Sequence, residues 1–133
     1  MRFTIQEIGT ADGDVFVTGK THCGTIKGLW KSQTIKPVSG RSYNIELTFG
    51  INMGAIDRSE IMIESDQAEA DISITGDRVR FIGLCESIDD IYFIRFSIDG
   101  LEMLDIENDD DTIKEGSYLS FSLPFEEIGI YPY

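Results

Sequence analysis

Residues 105–116, DIENDDDTIKEG, place six carboxylates in twelve positions. Carboxylates at that density can coordinate a hard cation, pair as acid and base, imitate a polyanion, or solvate a loop. An EF-hand calcium loop needs acids at positions 1, 3 and 5, glycine at 6 and glutamate at 12. Counted from Asp105, position 6 is Asp110 and position 12 is Gly116, so that motif is absent. An irregular cation site through Asp109, Asp110 and Asp111 stays open, because adjacent carboxylates repel and a cation relieves the repulsion. The competing readings are a mobile acidic loop between strands and a surface that recognises a partner.

His22 is the single histidine, with Cys23 beside it and Cys85 elsewhere. Neighbours on a strand point to opposite faces, so His22 and Cys23 do not share a metal or form a dyad. Cys85 with His22 remains open as a pair. The expectation is an exposed histidine and buried, reduced cysteines, two being too few for a disulfide framework. There is no glycine-rich phosphate loop, nucleophile elbow or metallohydrolase spacing. Twenty-four acids can be paired in countless ways, so none is assigned a catalytic role. The chain reads as non-enzymatic, with no catalytic residue, cofactor or metal.

Charge is distributed unevenly. Eleven Lys and Arg against 24 Asp and Glu give a formal charge of −13, which repels nucleic acid and anionic membrane and attracts basic proteins or cations. Residues 15–45 hold no acid but carry Lys20, Lys27, Lys31, Lys36 and Arg41, whereas residues 86–127 hold thirteen acids against Arg95 and Lys114. An acidic face built from Glu102, Asp105, Glu107, Asp109, Asp110 and Asp111 would dock a basic partner with a fast, salt-sensitive on-rate. Tyr92 and Tyr118 are candidate aromatic anchors for it. The bland alternative is that acids keep a small β protein soluble and protect its edges. A different class of function, a small-ligand or anion site, would use Lys27, Lys31, Lys36 and Arg41, with Trp30 stacking or, by the favoured reading, lying in the core.

The elements that must hold these residues repeat with period two. SYNIELTF (42–49) puts Tyr43, Ile45, Leu47 and Phe49 on one face. IYFIRFSI (91–98) does so with Tyr92, Ile94, Phe96 and Ile98, and YLSFSL (118–123) with Leu119, Phe121 and Leu123. This is half-buried strand patterning. Asp12-Gly13, Gly76-Asp77 and Asp99-Gly100 fall between such runs as hairpin turns, the Asp-Gly pairs as type I′ with positive φ at both residues. About ten short strands are expected and no helix longer than a turn. SDQAEA (65–70) is at most a connector. GDVFVTG (13–19) is echoed by GDRVRFIG (76–83), and TIKPVSGRSY (34–43) by TIKEGSY (112–118), which suggests two similar β units, 1–75 and 76–133. Glycine inside a strand lets a small sheet bend and close.

The order of the second half, a bent strand (77–86), a hairpin (91–106), a loop (107–116) and strands at 117–123 and 128–131, resembles an OB-type barrel. IKEGSYLSFSLPFEEIGIYPY is similar to the end of TOBE-like modules, without the anion-binding signature of molybdate-binding members. GTIKGLW, GRSYNIEL and IGIYPY together resemble small acidic bacterial β proteins of the immunity type, a likeness that implies an inhibitor of a toxin. No basic start followed by an apolar run reads as a signal peptide, and no apolar run reaches the roughly 20 residues that span a bilayer, so a cytoplasmic location is expected. The sequence therefore predicts one compact all-β domain, a small antiparallel barrel or barrel-like sandwich with an OB-like C-terminal half. It would act as an acidic binding protein that sequesters a basic protein partner.

Overall fold

A computed structural model describes residues 1–133, and it is all-β. The strands are β1 (Arg2–Ala11), β2 (Asp14–Thr21), β3 (Gly24–Trp30), β4 (Ser42–Phe49), β5 (Ile56–Asp57), β6 (Met62–Ile63), β7 (Asp71–Thr75), β8 (Arg78–Ile88), β9 (Ile91–Ser97), β10 (Gly100–Met103), β11 (Ile106–Glu107), β12 (Tyr118–Pro124) and β13 (Ile128–Pro132). Three of the thirteen, β5, β6 and β11, are two-residue pairings that an alternation pattern is too short to reveal. Single turns of 3-10 helix follow β5 and β12. No helix is long and apolar enough to cross a membrane.

Five strands close a barrel in the order β1, β2, β3, β13, β4 and back to β1. All its pairs are antiparallel except β3 with β13. Closure depends on β1, which pairs with β4 through Arg2–Thr4 and with β2 through Thr4–Ala11, and shifts register between Ile5 and Glu7. A bulge of that kind bends one strand enough to serve two neighbours. Gly19 completes the bend: a Cβ there would lie 2.5 Å from the ring of Phe3, so only hydrogen lets the ring fill the interior. A closed barrel is as expected, but the OB-like order expected of the C-terminal half is corrected: four of the five closing strands come from residues 2–49. Of the C-terminal half only β13 takes part.

Residues between β4 and β13 build an outer sheet around β8. β12 runs along one edge of β8, while β7 and β9 share the other, one after the other. Gly83 stands where Ile94 crosses it, 2.5 Å from where a Cβ would be. Phe49 of the barrel packs edge-on against Phe81 and Phe121 of this sheet, with centroids 4.9 and 5.0 Å apart. One cluster of 24 buried side chains runs through barrel and outer sheet. Alternation succeeds where strands are regular: Ile45, Leu47 and Phe49 are buried, as are Leu119, Phe121 and Leu123.

The turns divide. Asp12 and Gly13 both take positive φ, and Gly76 alone does so in its turn. Asp99-Gly100 differs from expectation. The turn is Ile98-Asp99, neither that pair nor Gly100 has positive φ, and Gly100 already pairs with Ser97. Ile98, expected inward, is 97% exposed at the tip. The left-handed pair sits at Asp89-Asp90 instead, between β8 and β9.

Candidate binding surface: the acidic loop 105–111

The acidic loop is fixed at both ends of its charge cluster. β11 pairs in parallel with β5, so Ile106 and Glu107 lie beside Ile56 and Asp57. Asn108 then donates its amide to Asp57 Oδ2 at 2.7 Å. Asp57 Oδ1 accepts from the Ser59 amide at 2.9 Å, capping the 3-10 turn that carries Arg58. Arg58 donates to Asp110 Oδ1 at 3.1 Å and to Thr112 Oγ1 at 2.9 Å, while its Nη1 holds the Ile61 carbonyl at 2.6 Å. Tyr92 donates its hydroxyl to Asp109 Oδ2 at 2.9 Å. Asn108 and Asp111 adopt positive φ, a conformation short polar side chains tolerate. Below the loop Ile113 is buried in the core. The acidic stretch between strands is thus tied by hydrogen bonds to Asp57, Arg58 and Tyr92.

These contacts set the electrostatics. The Thr112 hydroxyl and amide, helped by Arg58, hold the Asp110 carboxyl below the usual carboxylate range. Ser59 and then Asn108 do the same for Asp57. Burial, then the bond to Asp109, pushes the Tyr92 phenol up to about 12, so it stays a donor. Asp105, Glu107 and Asp111 are exposed, and their carboxylates accept no hydrogen bond within the protein. Of the six acids read from the sequence as a surface, five lie exposed on this loop or at its start.

Glu102 is the correction. It is 5% exposed, and its Oε2 accepts the Leu47 amide at 3.0 Å. The register shift between Gly100 and Leu101 inverts the faces of β10, turning Glu102 inward and Met103 outward. Burial raises its carboxyl to about 7, against a smaller opposing pull from the Leu47 amide. Tyr118 is half-buried, and Tyr92 is spent on Asp109. Arg58, Asn108 and Thr112, which hold the loop, were not read from the sequence. The Asp57-x-x-Glu60 spacing of a capped turn was the available signal.

The basic residues do not form one site. Lys27 lies over the Phe125 ring at 4.7 Å, in a groove with Thr10, Phe16 and Glu126. Lys31 borders a separate cleft with Trp30 and Tyr131, and Lys36 and Arg41 are exposed on the loop after β3. Trp30 is core, as favoured: it is buried, donates to the Ile35 carbonyl at 2.7 Å and packs edge-on against Tyr43. His22 is exposed in the β2–β3 turn, while Cys23 donates to the Phe96 carbonyl and Cys85 is buried. Burial, the larger cause, and nearby carboxylates raise both thiols, Cys85 to about 11, which disfavours a thiolate. Compared with protein-family models, with curated proteins and with solved structures, the chain matches none.

Proposed function

We propose that this protein is a non-enzymatic binding protein whose acidic loop docks a basic protein partner, in the manner of an immunity protein that occupies a toxin. One observation carries the reading. Asp105, Glu107 and Asp111 have no partner within the fold, yet the segment that bears them is held by Asp57, Arg58 and Tyr92. Charges fixed before encounter lose little conformational entropy on binding and favour fast, oriented association. The net charge of −13 adds a long-range pull on a cationic surface.

The test is titration against the product of the adjacent gene, with Asp105→Asn, Glu107→Gln and Asp111→Asn combined. These changes spare every hydrogen bond of the loop. Association is expected to slow roughly 10-fold at low salt and much less at high salt. No binding, or binding indifferent to the triple change, removes the reading. A second reading rests on the groove of about 250 Å³ where Phe16 and Phe125 flank the Lys27 ammonium, a place for a small apolar anion. Lys27→Ala separates the two, since it leaves docking at the acidic loop intact.

A further inference from the structure

Barrel and outer sheet meet without pairing where β4 faces β10. β4 parts from β1 after Asn44, and β10 has β9 as its sole strand partner. Between these edges lies a groove of about 350 Å³. Leu47, Phe49, Phe93 and Leu101 give it apolar walls, and its charged members are Glu46, Glu102 and Asp105, with no lysine or arginine among its lining. Glu102 is more than nine-tenths buried and reaches the groove from the floor. Its Oε2 is taken by the Leu47 amide, while Oε1 accepts no hydrogen bond from the protein and is not sealed off. The positive charge that acts on Glu102 is the Met1 ammonium, which is already held by the carbonyls of Ile45 at 3.2 Å and Asp99 at 3.0 Å.

A slot with hydrocarbon walls, acids at its rim and one free carboxylate oxygen at its base complements a long side chain with an apolar stem and a cationic head. We propose that this groove receives one lysine or arginine side chain of the basic partner, its stem against Phe93 and Leu101 and its cation on Glu102. The proposal rests on the docking function above and adds to it the residue class that the partner must present. A desolvated acid with a single backbone donor gains most from a matched countercharge, and a neutral side chain gains nothing there.

The experiment titrates the full chain with N-acetyl-arginine amide and N-acetyl-lysine amide, following backbone amides by NMR. N-acetyl-citrulline amide, the neutral isostere of arginine, is the control. Saturable shifts at Leu47, Phe93 and Leu101 are expected with the cations and not with citrulline. Glu102→Gln should weaken them at least tenfold, and Glu107→Gln with Asp111→Asn should leave them unchanged. Shifts confined to residues 107–111 would overturn the groove while keeping the acidic loop as the docking surface. Equal shifts with citrulline, or no response at the groove, overturn it outright. The wild-type shift map decides the matter even if Glu102→Gln folds poorly.

Discussion

Glu102 couples the fold to pH. Its carboxyl lies near 7 instead of its ordinary 4.5 because burial disfavours the anion. The folded state thus binds a proton that the unfolded chain has already released, and stability falls as pH rises from about 4.5 to about 7. The full loss, reached above the folded value, is on the order of 3 kcal/mol at about 1.4 kcal/mol per unit. Glu102→Gln keeps an acceptor for the Leu47 amide and removes the charge. Urea unfolding at a series of pH values should show the variant more stable than wild type at pH 8 and close to it at pH 4.5. A parallel pair of curves would mean that Glu102 does not titrate in this window. The inward Glu102 was illegible in the sequence for a definite reason. In GLEM an apolar–polar alternation points Leu101 and Met103 to the core, and only the shift after Gly100 reverses it. Asp105, Glu107 and Asp111, by contrast, follow no inward phase, and their exposure was legible from composition alone.

Hairpins show which local signals govern an element. Asp-Gly at 12–13 makes the expected left-handed turn, but at 99–100 the same dipeptide does not, because Gly100 is drawn into β10 against Met1 and Ser97. Tertiary packing overrides the turn preference there. Asp89 and Asp90 both sit at positive φ, 52° and 65°, where glycine is the easier residue. Asp90→Gly should therefore stabilise the protein by about 1 kcal/mol, read as a higher urea midpoint with unchanged slope. A lower midpoint would show that the Asp90 side chain does more than occupy a turn. Alternation told the faces of β4 and β12 correctly because both strands stay in register along their length. It did not tell partners: Ile128, Gly129 and Ile130 are buried in succession, the sign of a central strand covered on both sides. That run was legible, while its place between β3 and β4 was not.

At the scale of the molecule, a charge of −13 meets only three salt bridges, Arg58–Asp110, Arg80–Glu64 and Arg95–Glu86. Most carboxylates repel one another through solvent, which opposes compaction. Added sodium chloride should raise the melting temperature by a few degrees between low and moderate ionic strength, then level off as the Debye length shortens. A fall on adding salt would show that the surface charges are arranged to attract. The all-β class was readable because period-two segments and turn residues recur throughout. A barrel was readable too, but not which strands close it, because closure joins strands separated by most of the chain. That separation also governs birth of the protein on the ribosome. β3 and β4 wait for β13, and at about 5–20 residues per second the intervening stretch takes several seconds to appear. For that interval the nascent barrel has a missing stave and two unsatisfied hydrogen-bonding rims, so the hazard of sticking to neighbours is greatest before β13 emerges.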